Sequence, residues 1–146
     1  MPIPPTGRIL GLDWGLVRFG LAASDETQLI ASPLATLTRR PGKRFPMSAL
    51  EEHLAHVRPV GLVVGLPLEP SGEESTNAAE ARALATRLAD RTGLPAELVD
   101  ERMSTARALG AIAEQGGSTR GRKADVDALA AAIILQQFLD RRRNAR

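Results

Sequence analysis

Apolar and polar positions along the chain follow two kinds of pattern. Arg8–Leu12 and Phe19–Ala23 are short apolar runs separated by Gly15 and bounded by polar residues, which predicts two paired strands. A third run, Gln28–Leu37, contains Pro33, which cannot donate to a ladder and so places this strand at an edge or a bend. Ser48-Ala-Leu-Glu51 has the form of a capping box, and Leu50, Leu54 and Val57 follow at helical spacing as far as Pro59. Gly61–Leu66 is a continuous apolar run ending at Pro67, the pattern of a strand buried on both faces and parallel to its neighbours. After the polar stretch Glu69–Glu74, a second capping box, Asn77-Ala-Ala-Glu80, opens a helix striped by Ala81, Leu84, Ala85 and Leu88 and stopped at Gly93-Leu94-Pro95. Ala96–Asp100 reads as a strand. Ser104 is placed to cap a third helix through Ala113, ended by Gly116-Gly117, and a last helix spans about Ala124 to Arg141 with Leu129, Ile133, Ile134 and Phe138 on its buried side.

The order β-β-β-α-β-α-β-α-α predicts an α/β fold: a mixed five-stranded sheet flanked by helices on both faces. A chain of 146 residues suits one hydrophobic core, so residues 1–146 are expected to form a single domain with its core at about 7–140 and about six loose residues at each end. Hydrophobic residues at 43% and charged residues at 25% match ordinary soluble domains and argue against wholesale disorder. Apolar runs such as Ala128–Leu135 fall far short of the roughly 18 residues of a membrane span, and Met1-Pro-Ile-Pro-Pro is not a signal peptide. A cytoplasmic protein with no membrane partner is expected.

Cysteine is absent, which excludes disulfide staples, thiolate nucleophiles and Cys-ligated metals. Of the 19 basic residues all but Lys43 and Lys123 are arginine, whose planar fork suits phosphate oxygens. They cluster at Arg39–Arg44, Arg120–Lys123 and Arg141–Arg146, each in a loop or at an end. The signal with most chemical content is acids at strand ends. Asp13 ends the first strand, Asp100 and Glu101 end the last, and the C-terminal tips of central parallel strands converge in one crevice. Strand alternation lets only one of Asp100 and Glu101 face that crevice. Asp125 and Asp127 lie in the first turn of the last helix and diverge by about 200°; Asp125 suits an N-terminal cap, whereas Asp127 lies nearer the buried face. Converging carboxylates repel unless neutralised, and one or two Mg²⁺ or Mn²⁺ ions with oxygen ligands resolve this while supporting phosphodiester hydrolysis without a nucleophilic side chain. Gly15 and Gly20 have the spacing of a Walker A loop, but Leu21-Ala22 stands where Lys-Ser/Thr is needed. His53 and His56 read as a solvated helix face, and Trp14 as a packing residue before a base-stacking one.

Five segments, Gly11-Leu-Asp-Trp-Gly15, Arg18-Phe-Gly-Leu-Ala-Ala-Ser-Asp25, Val64-Gly-Leu-Pro-Leu68 with Gly72, Asp100-Glu-Arg-Met-Ser-Thr105 and Val126-Asp-Ala-Leu-Ala-Ala131 with Ile134-Leu-Gln136, together resemble the YqgF/RuvX family from about Gly7 to Asp140. The resemblance implies an RNase H-like fold and a metal-dependent nuclease that processes the 5′ end of precursor 16S rRNA in ribosome biogenesis. It also implies, as an alternative, a Holliday junction resolvase acting on branched DNA as a dimer. Carried over by motif, the catalytic and metal-holding acids are Asp13, Glu101 and Asp127. Arg102 and Arg18, within the motifs, and Arg120, Arg122 and Lys123, in the basic loop, are the candidate nucleic-acid contacts. The family commonly has a small residue, Gly, a hydroxyl residue and a basic residue after the first aspartate, where this chain has Trp14, Gly15, Leu16 and Val17. That departure and the basic clusters motivate a third reading, a non-catalytic RNA-binding ribosome-assembly module. The partner in each case is nucleic acid, precursor rRNA or branched DNA, bound by a monomer or a homodimer.

Overall fold

The computed structural model describes residues 2–15, 17–40, 42–66, 76–100 and 123–145. Strands β1 (Ile9–Asp13), β2 (Arg18–Ser24) and β3 (Ala31–Thr38) form an antiparallel meander, and β4 (Gly61–Leu66) and β5 (Ala96–Asp100) add to it in parallel. The sheet order is β3-β2-β1-β4-β5. β4 sits between two parallel neighbours and all six of its residues are buried, as its unbroken apolar run requires. β3 is an edge strand, and the ladder shifts register where Pro33 faces Ala22, so the missing N–H costs no interior hydrogen bond.

Side-chain alternation sorts the strands onto two packed faces. Leu10, Leu12, Phe19, Leu21, Leu62 and Val64 lie in one cluster with Leu50 and Val57 of helix α1 (Met47–Val57) and Leu84 and Leu88 of helix α2 (Thr76–Thr92). Ile9, Ala22, Val63 and Val99 lie in the other, with Ala131, Ile134, Leu135 and Leu139 of helix α3 (Lys123–Ala145). The RNase H-like α/β architecture is thus present with helices on both faces. The predicted helix at Ser104–Ala113 lies outside the described residues. No helix among the described residues is long and apolar enough to cross a membrane.

Three local expectations are corrected. α1 begins at Met47 with Pro46 as its N-cap and no side-chain capping bond, so Ser48 is inside the helix instead of capping it. Phe45 and Leu50 occupy the N′ and N4 positions of a hydrophobic staple, and both are buried in the same cluster. β3 starts at Ala31 instead of Gln28, because the preceding residues wrap around Asp25, whose carboxylate accepts the N–H groups of Thr27, Leu29 and Ile30. The chain ends are not loose: α3 runs to Ala145, and the Arg142 guanidinium donates to the Gln28 side chain and to the carbonyls of Ile3 and Pro4. Ile3 itself is buried against α3's cluster.

Candidate active site

The end of β1 carries Asp13, whose cross-strand partner on β2 is Gly20 and whose parallel neighbour on β4 is Gly65. Gly65 in turn pairs with Val99 of β5, so the C-terminal tips of the three parallel strands are level. The face that Asp13 takes follows from alternation. Ile9 packs in α3's cluster, and a Cβ placed on Gly11 would lie 3.0 Å from Leu135 of α3, so Asp13 belongs to the face that α3 covers.

The first turns of α3 reach the same place. A Cβ on Gly20 would lie 1.9 Å from the backbone carbonyl oxygen of Asp127, far inside contact distance, so α3 rests directly on the glycine opposite Asp13. Gly15 plays a matching part in the turn before β2, where a Cβ would meet the carbonyl of Arg18 at 2.2 Å. The two glycines that superficially suggested a phosphate loop are instead positions of close backbone approach. Asp127 and Asp13, far apart in sequence, are brought to one end of the sheet by this seating.

Arg18, the first residue of β2, donates from Nε to Oδ2 of Asp127 at 2.5 Å. The Asp127 side chain is 25% exposed and that of Arg18 is 38% exposed, so the pair faces water on one side. A charge-assisted bond of this kind fixes the rotamer of the carboxylate and leaves its other oxygen available to a cation. On the opposite face of the sheet Trp14 is buried, edge-on to Phe19 with centroids 6.2 Å apart, and Phe19 is edge-on to Phe45 at 4.7 Å. Trp14 is therefore a packing residue of the core, as its apolar setting predicts.

The sequence model of one family, described as a Holliday junction resolvase, matches residues 7–141: RuvX. The chain belongs to the RuvX family. Among similar RuvX-length proteins, a candidate pre-16S rRNA nuclease of Anaeromyxobacter dehalogenans (strain 2CP-C) is 43% identical over 135 residues, covering 92% of this chain and 98% of that protein. One of the same name from Legionella pneumophila subsp. pneumophila (strain Philadelphia 1) is 39% identical over 136 residues, covering 92% and 96%. RuvC of T. thermophilus, solved in complex with a Holliday junction substrate, superposes with a TM-score of 0.58 at 19% identity, covering 94% of this chain and 96% of that one. The yeast mitochondrial Holliday junction resolvase Ydc2 gives 0.50 at 14%, covering 99% and 85%. At these identities the two solved structures share the fold with this RuvX chain.

Of the residues singled out from sequence, Asp13, Arg18 and Asp127 come together on the α3 face at one end of the sheet. Glu101, Arg102, Arg120 and Arg122 lie outside the described residues, as do the side chains of Asp100, Lys123 and Asp125. Among the described residues no group of three or more acids or histidines is arranged to hold a metal. The Arg18–Asp127 pair was not anticipated as a pair. Its only sequence signal is a shared one: both residues fall in segments of the same five-part resemblance.

Proposed function

We propose that this RuvX chain is a divalent-metal-dependent nuclease that processes the 5′ end of precursor 16S rRNA, with Asp13, Glu101 and Asp127 as its catalytic and metal-holding acids. The observation that carries the reading is the seating of Asp127 on Gly20, across the ladder from Asp13. Val99, on the same rung of the sheet, packs on the α3 face, and Glu101 enters the reading from the family motif alone. The names of these relatives supply the substrate.

The donor set suits the metal. Carboxylate oxygens with no histidine or cysteine among them fit hard cations, Mg²⁺ or Mn²⁺, in preference to zinc or copper. When bound, such an ion supplies an activated water and stabilisation of the leaving oxygen. Asp13 and Asp127 would contribute oxygen ligands from a strand end and a helix start, two elements of the packed fold. Arg18 orients Asp127 and presents the rest of its guanidinium to water, where a backbone phosphate would meet it. Arg102, Arg120, Arg122 and Lys123 are the further nucleic-acid contacts of the same reading.

The test compares wild-type protein with Asp13→Asn on a precursor 16S 5′-leader RNA and on a four-way DNA junction, in Mg²⁺ or Mn²⁺. Cutting of the leader is expected to fall by more than the roughly 10–100-fold that loss of an outer-shell partner costs, with the fold retained. Unchanged cleavage by the variant overturns the assignment. The description of the family model favours a second reading, resolution of branched DNA. It requires two symmetric nicks, hence a dimer, so paired cuts in the junction together with a dimeric mass by light scattering select it. Binding of both substrates without turnover selects a non-catalytic assembly module.

A further inference from the structure

The face of the sheet opposite the carboxylates carries a cleft of about 210 Å³ that the catalytic reading does not use. Trp14, Phe19 and Phe45 form its apolar floor, Arg39 and Arg44 come from the segment after β3, and Glu80 and Arg87 come from one face of α2. Trp14 follows Asp13 directly, so the cleft opens at the same end of the sheet as the acids, one residue away along the chain. Three guanidinium groups stand there against one carboxylate. Among the described residues neither Arg44 nor Arg87 has an ion-pair partner, while Arg39 lies with its guanidinium carbon 5.5 Å from the Phe19 ring centre.

The chemistry of the occupant follows from size and geometry. A volume of about 210 Å³ falls below the roughly 300–1,000 Å³ of pockets that enclose whole small-molecule ligands. The aromatic floor offers no platform for a base, since Phe19 is fully buried and its ring is enclosed by Trp14, Phe45 and Arg39. What remains is a small anion held by forked donors, and arginine is suited to phosphate oxygens. We infer that the Arg39–Arg44–Arg87 cleft is a backbone-phosphate site for the single-stranded RNA flanking the cleavage point, holding the strand as it crosses the end of the sheet to the carboxylates. This rests on the nuclease reading for its choice of RNA. Contact of this kind fixes register and carries no base sequence.

Trp14, the chain's one tryptophan, lines the cleft and reports on it. The experiment follows Trp14 fluorescence of the full chain carrying Asp13→Asn, without divalent metal, during titration with a single-stranded oligouridylate and, separately, with inorganic phosphate. The RNA is expected to give a saturable change. Adding Arg44→Gln and Arg87→Gln should shift that change to about tenfold higher RNA concentration and lower the log–log salt slope by about 0.7–1, the equivalent of one phosphate contact. Glu80→Gln should act in the opposite sense and tighten RNA binding, which separates a lost contact from a damaged fold. Mn²⁺ binding to the Arg44→Gln, Arg87→Gln chain with Asp13 intact, read by electron paramagnetic resonance, should stay as in wild type. Unchanged RNA affinity and salt slope in the double arginine variant overturn the inference. So does a response to inorganic phosphate with none to RNA, which marks a free-anion site. Because the titrations use no metal, they stand whether or not wild-type protein cuts the leader, and failure of the nuclease reading shows itself only in the cleavage assay.

Discussion

Asp25 is held far from its solution chemistry. Its carboxylate accepts the backbone N–H groups of Ile30, Leu29 and Thr27 and the Thr27 hydroxyl, and these bonds, that to Ile30 above all, hold its pKa far below the ordinary aspartate value. A depressed folded-state value contributes stability that is complete above the unfolded pKa near 4 and is lost as pH falls toward the folded value. Urea unfolding should therefore show a midpoint that falls from about pH 5 downward in wild type, with a shallower fall in Asp25→Asn. An identical acid slope in both proteins would remove Asp25 from the account. The neighbouring Gln28 has φ at +60°, unusual for a side chain with a Cβ. Its amide donates to the carbonyls of Pro4 and Gly7 and accepts from Arg142, so hydrogen bonds on three sides offset the backbone cost. An aspartate two residues before a threonine is a readable turn signal, and its weight against the apolar run that follows is what the sequence pattern understated.

At the scale of elements, the contact between α3 and β2 decides whether the acids meet. Gly20→Ala drives a methyl into the carbonyl of Asp127, a backbone group that cannot rotate away, and is expected to cost about 3 kcal/mol or more in urea unfolding. Gly11→Ala, which would meet the Leu135 side chain at 3.0 Å, should cost less because a side chain can yield. A Gly20→Ala protein as stable as wild type would contradict the close approach. The strands were legible to within about a residue at most ends, since burial imposes period two or an unbroken apolar run. Helix starts were less so. Ser48 with Glu51 satisfies the capping-box pattern, yet Phe45 and Leu50 bury themselves in one cluster and Pro46 takes the cap position, so packing overrides a local hydrogen-bond preference. The last helix outran its expected end because Arg142 finds partners, Ile3 and Gln28, that no local pattern reveals, and Arg143 adds an i,i+3 pair with Asp140.

For the whole molecule, the end of α3 and the segment before β1 stabilise each other. Arg142 bonds to Ile3, Pro4 and Gln28 and lies over the Phe138 ring, 5.4 Å from its centre. Arg142→Ala leaves the Ile3 carbonyl and the Gln28 amide oxygen without this donor and removes one of the two donors to the Pro4 carbonyl, with an expected loss of about 1–3 kcal/mol. Hydrogen exchange should rise at the amides of Ile3, Thr6 and Gly7 and in the turn around Gln28, while the β1–β4 ladder stays protected. Uniform exchange across the sheet would mean that this clamp is not local. The candidate site was legible in outline, because acids at the tips of parallel strands and on a helix start are placed by periodicity alone. What periodicity leaves open is which strand a distant helix lies on, and so the Arg18–Asp127 bond and the arginine cleft, each joining distant parts of the chain, emerged only from the fold.

The seating of Asp127 on Gly20 also dates the site. Chains are made from the N-terminus, and the elements that carry Asp13, Gly20 and Arg18 leave the ribosome long before α3 does. A nascent chain holds one half of the carboxylate pair with nothing opposite it. Asp127 therefore meets the strand end that carries Asp13 only after α3 has emerged and docked on β2.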